Sequence, residues 1–553
     1  MYNAWFNQES HMSFDYLKGA VTGPTQREKA DPRQIMNNAG GYTFVVDDWA
    51  RLQRFLVLGA EGGTYYTSDR KLVRENAACV ERLIQLDGPR LVREVTELSE
   101  SGRAPKNDPA ILALALAAKL GDQPTRQAAY AALPRVCRIG THLYHFAEFA
   151  SAINGGGWGG GMRRALSRWF NARAVDDAAF QLVKYQSRDG WSAKDIMNLA
   201  HPNPKKAKGE GEFASRDALY RWVTYGVEGL DADQRAKLPA IADAFEQIKA
   251  ETDVKKVVAL IREHKLPREA VPTEHLTLPE VWEVLLPHMG LTALVRNLAT
   301  MTRAGVIVPL GDHVPAICAR LTDAAQLTKA RVHPIQMLSA LKTYAQGRGE
   351  KSKSTWTPVQ QIVDALDAGF YASFAAVEAT NLATLIALDV SGSMTSGNIA
   401  GCPGLTPRVA SAAMALVTAA REPNHHIMGF ASTFVDVPIS PNMRLDQAIA
   451  AIERIPMGAT DCSLPMIWAE KTKAKIDAIA IYTDNETWAG HVHPHKALQS
   501  YRKSSGRATK LAVVGMTSTN FTIADPTDAG MMDFVGFDAA APSLMADFFR
   551  EIS

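Results

Sequence analysis

Leu382-Ala383-Thr384-Leu385-Ile386-Ala387-Leu388-Asp389-Val390 is the run that decides the fold. Only Thr384 and Asp389 interrupt its apolar character. A strand wet on one face alternates polar with apolar residues; this one does not, so it predicts a strand covered on both faces. The sequence downstream agrees. A Gly/Ser/Asn loop follows, then a helix from about Thr406 to Ala420. Ile427–Phe430, Ile476–Tyr482 and Leu511–Met516 repeat the buried-strand pattern, with a helical stretch at Leu445–Glu453. Strands alternating with helices predict a mainly parallel, doubly wound sheet.

Upstream the texture is different. From about Arg33 to Asp367 the apolar spacing is helical. In Asp48–Leu58, Trp49, Leu52, Phe55 and Leu56 recur at one-turn intervals. Leu72–Leu86, Pro109–Leu120, Thr125–Val136, Met162–Asn171, Asp176–Gln186, Ser192–Ala200, Asp217–Tyr225, Asp231–Lys249, Val254–Glu263, Leu278–Leu286 and Thr292–Met301 read similarly, with Gly, Pro and Asp between them. Short helices in such a series suggest stacked pairs of the HEAT or armadillo kind. No fixed repeat period is visible, so an irregular all-α domain stays open. The expected division is a flexible segment at 1–33, a helical domain at 34–375 and an α/β domain at 376–553. Ser10-His11-Met12 reads like a cloning junction, which would make 1–11 an expression scar.

The chain has 553 residues, 46% hydrophobic and 21% charged. That length predicts several domains, and the composition excludes a mostly disordered chain. Apolar runs such as Ala110 to Ala118 fall short of the roughly 20 residues a membrane helix needs. No secretion signal is recognisable. Five scattered cysteines without C-x-x-C spacing argue against a disulfide framework or structural zinc, and suit a reducing, cytoplasmic setting. The net charge of +2 hides a division. From Gln361 onward 13 Lys and Arg face 19 Asp and Glu, whereas the first 360 residues carry eight excess positive charges. That excess points to a polyanion partner for the helical part.

Asp389, Ser391 and Ser393 stand where the first buried strand runs out, the edge at which α/β sheets bind ligands. Thr460 and Asp484 follow on two further loops, the second just beyond the strand Ile476–Tyr482. Hydroxyl and carboxylate oxygens suit a hard divalent cation, Mg²⁺ or Mn²⁺ ahead of Ca²⁺. The arrangement resembles the metal-ion-dependent adhesion site of von Willebrand factor A domains. That resemblance implies an ion held partly through water, with a position open to a partner's carboxylate. Cys462 is a lone thiol, and His491-Val492-His493-Pro494-His495 lacks a spaced carboxylate or Cys to complete a second metal site.

Between two helical stretches, Asp189-Gly190 makes a turn. Lys184 and Arg188, four residues apart, are expected on one helix face. Ser192 caps the next helix, with Asp195 placed to reach back. That helix must stop near His201, before Pro202. Lys205, Lys206 and Lys208 continue the basic strip. By spacing alone a solvated basic helix edge is the favoured reading.

The whole chain resembles the Ro ribonucleoprotein autoantigen, or TROVE, family, including its bacterial members. The matching phrases begin with Arg54-Phe-Leu-Val-Leu-Gly-Ala-Glu-Gly-Gly-Thr-Tyr-Tyr66, Cys137-Arg-Ile-Gly-Thr-His142 and Asp189-Gly-Trp-Ser192. Leu291-Thr-Ala-Leu-Val-Arg-Asn297, Thr460-Asp-Cys-Ser-Leu-Pro-Met-Ile-Trp468, Thr483-Asp-Asn-Glu486, Gly515-Met-Thr-Ser518 and Phe521-Thr-Ile-Ala-Asp-Pro526 continue them in order. The resemblance implies a ring-like array of HEAT-type helical repeats followed by a von Willebrand factor A domain. It implies a non-catalytic, monomeric RNA-binding protein. A small Y RNA would sit on its outer basic surface, where Lys184, Arg188 and His201 match contact positions. Single-stranded 3′ ends of misfolded RNA would enter a central hole, for which Arg135, Arg138, His142, Arg163 and Arg164 are candidate lining residues. The implied role is RNA quality control or processing, with an exoribonuclease such as polynucleotide phosphorylase as partner. Pro202–Ser215 departs from the vertebrate pattern. Two other readings compete: a metal-dependent interaction or adhesion module without RNA, and a hydrolase at Asp389/Asp484. The hydrolase reading lacks an assignable general base and any phosphate-binding glycine signature.

Overall fold

The computed structural model describes residues 24–59, 69–153, 157–207, 212–349, 353–373, 379–399, 405–420, 422–440, 443–535 and 541–550. The suggested scar at 1–11 and the phrase from Ala60 to Tyr66 lie outside them, as does Lys208.

The helical part begins with two short strands where the sequence predicts helix. β1 (Ile35–Met36) pairs antiparallel with β2 (Tyr42–Val45). Gly40, with φ +85°, makes the reversal between them, a conformation glycine adopts without penalty. The helices Asp48–Leu58, Asp108–Leu120, Gln123–Val136 and Gly160–Asn171 then follow the predicted spans closely. Asp69–Ser101 is longer than predicted and kinks at Asp87, before Gly88-Pro89. Asp231–Lys249 is not one helix: Ala232–Ala236 and Ala240–Ala250 flank Pro239, whose missing N–H breaks the ladder. The series runs on through Pro334–Ala345 and Gln360–Ala372.

The series closes on itself. His333, which caps the helix Pro334–Ala345, hydrogen-bonds through Nε2 to the Arg103 carbonyl at 2.8 Å. Gln336 Nε2 donates to the Pro105 carbonyl at 3.1 Å. A helix late in the domain thus meets a loop 230 residues earlier. Burial lowers His333 to about 3, so its imidazole is neutral.

The α/β part follows. After the hairpin strands β3 (Ser187–Arg188) and β4 (Trp191–Ser192), the chain adds β5 (Thr384–Asp389), β6 (His425–Phe430), β7 (Phe434–Asp436), β8 (Ala478–Thr483) and β9 (Lys510–Gly515). β10 (Phe521–Thr522) and β11 (Met531–Val535) complete it. The main sheet has the order β11-β9-β8-β5-β6-β7, parallel except for β7. β5, the deciding run, is buried at every position. Ile386, Leu388, Tyr482 and Val514 point to one face and share a core with the helical domain. Leu385, Ala387, Ile479 and Val513 point to the other. This period of two is why both faces need helices.

The two parts are sewn together. β2 also pairs with β10, giving a three-stranded sheet across the junction. Arg54, fully buried on Asp48–Leu58, ion-pairs with Asp533 and donates to the carbonyls of Thr519 (2.9 Å) and Phe521 (2.7 Å). Residues 24–33, expected to belong to a flexible segment, are instead packed. Gln26 is buried and donates to Asp461 Oδ1 at 2.8 Å and the Val492 carbonyl at 2.7 Å. Arg33 reaches Asp525. Such anchoring needs distant partners that no local pattern reveals.

Candidate metal cleft and nucleic-acid rim

Asp389 ends β5, and Asp484 follows its neighbour β8, so parallel pairing sets the two carboxylates side by side. Hydrogen bonds fix their orientation. Asp389 Oδ1 accepts from Ser391 N at 2.9 Å, and Oδ2 accepts from Thr483 Oγ1 at 2.7 Å. Ser391 and Ser393 hydroxyls lie 3.0 Å apart, and Ser393 also hydrogen-bonds Asp484. Asp484 Oδ1 accepts from Glu486 N at 3.0 Å. Ser391, Ser393 and Thr460 line a cleft of about 330 Å³ with Arg27, Ala39, Gly392, Gly458, Ala459 and Trp488. All five residues expected at the metal site therefore come together.

The electrostatics are those of a site short of positive charge. Burial, with the Asp484 charge beside it, pushes Asp389 up to about 7. Burial also raises Asp484. Two such carboxylates with hydroxyl neighbours fit a hard divalent cation, which would relieve their mutual repulsion. Among the described residues no group of three or more His, Cys, Asp or Glu is arranged as metal ligands. Cys462 is buried next to Thr483, and burial holds its thiol well above the usual range, so no thiolate is offered.

Several members of this site were not anticipated. Glu486 is a third buried carboxylate, pushed up to about 8 by burial and the Asp484 charge. Its oxygens accept from Asn38 Nδ2 (2.7 Å) and Ala39 N (3.2 Å), tying the metal loop to the β1–β2 hairpin. Arg27 lies over the Trp488 ring at 4.7 Å on the cleft's rim. The only signal for Glu486 was its place in Thr483-Asp-Asn-Glu486; Arg27 gave none. His493 is spent on the junction, held by Gln34 Nε2 and the carbonyls of Thr25 and Glu28, whereas His495 packs edge-on to Phe44 with both ring nitrogens buried and unbonded among the described residues.

The basic rim is built differently. The helix Val175–Lys184 stops at Lys184, two residues earlier than expected. Arg188 lies instead on β3, paired with Trp191 of β4, so Lys184 and Arg188 do not share a helix face. Asp189 (φ +53°) and Gly190 (φ +79°) form the turn, the left-handed pair that suits a two-residue hairpin. His145 and Glu148 on the helix Gly140–Ala152 grip the hairpin through Asp189 and the Trp191 indole. Ser192 and Asp195 form the expected capping box of Ala193–Ala200, and His201 is that helix's left-handed cap. Arg188 and His201 are exposed, and Lys184 is half-buried over the rings of Phe180 and Tyr185. Both helices pack on Phe213–Tyr225.

Arg135, Arg138 and His142 gather at the seam. Arg135 is paired through both nitrogens with Glu100. Arg138 donates to Ser99 Oγ at 2.8 Å. Burial, aided by the Arg138 charge, lowers His142 to about 3, so it is neutral at ordinary pH. Arg163 is exposed and donates to the Trp158 carbonyl at 3.1 Å; Arg164 is exposed.

Comparison with known proteins adds to this geometry. Residues 35–343 match the TROVE domain, and residues 383–549 match the Ro60 vWA domain. A protein named RNA-binding protein RO60 from Deinococcus radiodurans is 44% identical over 95% of this chain and 97% of its own length. A protein of the same name from Caenorhabditis elegans is 34% identical over 95% of this chain and 91% of its own. The crystal structure of the Deinococcus radiodurans RO (RSR) protein superposes with a TM-score of 0.68 at 42% identity, covering 92% of this chain and 100% of that one.

Proposed function

The chain belongs to the Ro60 family of TROVE-domain RNA-binding proteins, and on that premise we propose that it binds a small Y RNA without catalysing its turnover. Lys184, Arg188 and His201 form the contact rim. The observation that carries this reading is the rim's construction: cations and an imidazole at helix ends and a clamped hairpin, on a scaffold that closes at His333. Structured RNA is recognised through phosphates, 2′-hydroxyls and shape, which needs charge on a rigid frame. The closed series of helices supports a second role, taking single-stranded ends of misfolded or immature RNA, in RNA quality control or processing. Arg135 and Arg138 would contribute there after giving up their protein partners. His142, being neutral, would act as a hydrogen-bonding group.

The cleft at Asp389 serves assembly in this reading. Ser391, Ser393, Thr460, Asp389 and Asp484 would hold Mg²⁺ or Mn²⁺, and the ion would supply a Lewis-acidic position for a partner's carboxylate, such as one on an exoribonuclease. RNA and partner thus have separate addresses on one cytoplasmic protein.

The test is a gel shift with Y RNA across a salt series. Log affinity falls with log salt by roughly 0.7–0.9 per neutralised phosphate. Lys184→Ala with Arg188→Ala is expected to weaken binding by about 2 kcal/mol or more, from about 1 kcal/mol or more per charged hydrogen bond. Unchanged affinity in the double variant overturns the rim; a flat salt dependence overturns electrostatic RNA binding altogether.

A further inference from the structure

A second cleft, of about 250 Å³, lies between the helices Leu291–Arg303 and Pro334–Ala345. Its lining is ordered by chemistry. Thr292 and Arg296 stand one turn apart on the first helix, Ser339 and Thr343 one turn apart on the second, and Val295 and Ala340 line the same cleft. No acidic side chain lines it.

A helical Ser or Thr hydroxyl either bonds the carbonyl four residues back or points away from its helix. Thr96, Thr302, Ser411, Thr418 and Thr472 take the first course. Ser339 and Thr343, both inside a helix, do not, and neither they nor Thr292 has a hydrogen-bond partner among the described residues. Arg296 is exposed and makes no ion pair among the described residues. Its charge nevertheless reaches Tyr185, the residue after Lys184. Gln336, also in the lining, ties the cleft to the seam through Pro105. The cleft thus offers three hydroxyls, one guanidinium and an apolar wall, all uncommitted, beside the basic rim.

We propose that this cleft is a ribonucleotide subsite, taking one nucleotide of a single-stranded RNA segment. Arg296 meets the phosphate, as a planar donor suited to it. Ser339, Thr343 and Thr292 meet the ribose 2′-hydroxyl, the group that separates RNA from DNA. The base lies against Val295 and Ala340. The inference rests on the RNA reading above, and assigns to it a sugar-reading site distinct from Lys184, Arg188 and His201.

Fluorescence anisotropy with a labelled oligouridylate and its deoxy counterpart tests it on the full chain. Wild type is expected to prefer the RNA. Ser339→Ala with Thr343→Val, which keeps shape and removes hydroxyls, should erase that preference while leaving DNA affinity unchanged. Arg296→Ala should weaken both oligonucleotides about tenfold, the loss of one charged hydrogen bond. Thermal melts establish that each variant is folded. If wild type binds both RNA oligonucleotide and Y RNA but the variants behave as wild type, the cleft is not the subsite and the RNA reading stands. If wild type binds neither RNA, the RNA reading fails and this inference with it.

Discussion

The metal cleft and the basic rim solve opposite problems. In the cleft, Asp389 and Asp484 are buried and their oxygens are oriented by Ser391, Ser393 and Thr483. On the rim, Arg188 and His201 project into solvent, and Arg188 has only an exposed ion pair with its neighbour Asp189 at 3.5 Å. A small ion demands fixed coordination directions, so its ligands must be locked by neighbours. A phosphate backbone demands charge at roughly the right place, so exposed side chains on a rigid frame suffice. The two sites should therefore fail differently.

The largest expected effect is at the cleft. If these loops hold the proposed ion, Asp389→Ala removes one of its two expected carboxylates, so the heat of Mn²⁺ binding should vanish in a calorimetric titration. Y RNA affinity should be unchanged, because Lys184 and His201 lie on the other domain. Equal Mn²⁺ heats for wild type and Asp389→Ala would refute a metal site on these loops. Loss of RNA binding in a folded Asp389→Ala protein would refute the separation of the two sites.

The next effect tests the joint between the regions. Arg54 is fully buried and satisfies Asp533 and two carbonyls across the junction. Removing one partner of a buried pair strands the other charge, at a cost of about 3–5 kcal/mol. Arg54→Ala should lower the denaturation midpoint accordingly. A change under about 1 kcal/mol would mean that the shared core and the β2–β10 pairing hold the joint without this ion pair.

The seam gives a smaller, pH-dependent effect. Native His333 is held near 3 by burial, whereas an unfolded histidine titrates near 6.5. Below about 6.5 the unfolded chain therefore binds more protons, and stability falls as pH falls toward 3. Two pH units of that window correspond to about 2–3 kcal/mol. The loss between pH ~6.5 and ~4.5 should be smaller by that amount in His333→Gln, measured by urea unfolding at each pH. Parallel profiles for the two proteins would show that native His333 takes up its proton as the unfolded chain does and is not held neutral at the seam. Comparing the two proteins is essential, since His142 and His495 are lowered too.

What the sequence disclosed divides along the same line. β5 was legible because burial on both faces leaves a continuous apolar run, and Asp389, Ser391 and Ser393 because they stand in sequence where that run ends. The helices were legible wherever one face is apolar. Gly140–Ala152 was not singled out, although Leu143, Tyr144, Ala147 and Ala150 recur at helical spacing; Thr141, His142, His145 and Glu148 between them dilute the pattern. β1 and β2 are short strands; β1 pairs only with β2, and the second partner of β2, β10, lies 476 residues or more away. Gln26, Arg27 and Glu486 were missed for the same reason: their roles depend on contacts across the junction. At the rim the residue types were legible but their placement was not. A helix continuing to Gln186 and one ending at Lys184 differ by two residues, yet only the second puts Arg188 on a hairpin.

That hairpin supplies the smallest effect. Asp189 and Gly190 both have positive φ, and a Cβ added at Gly190 would meet nothing within 4 Å. Gly190→Ala therefore carries no steric clash, only the cost of holding an L-residue in the left-handed region, about 1 kcal/mol. Two outcomes separate two pictures of the rim. If Arg188 binds RNA as part of a fixed hairpin, the strain competes with the productive turn and Y RNA affinity should fall several-fold while Mn²⁺ binding stays constant. If Arg188 acts only as a long, adaptable cation, global stability drops slightly and RNA affinity does not move. The grip of Glu148 on the Trp191 indole and of His145 on Asp189 favours the first, because both bonds require the turn to stay closed. A fall in RNA affinity matched by an equal fall in the salt slope would mean that a whole phosphate contact has been lost, and with it the hairpin's role as a mere spacer.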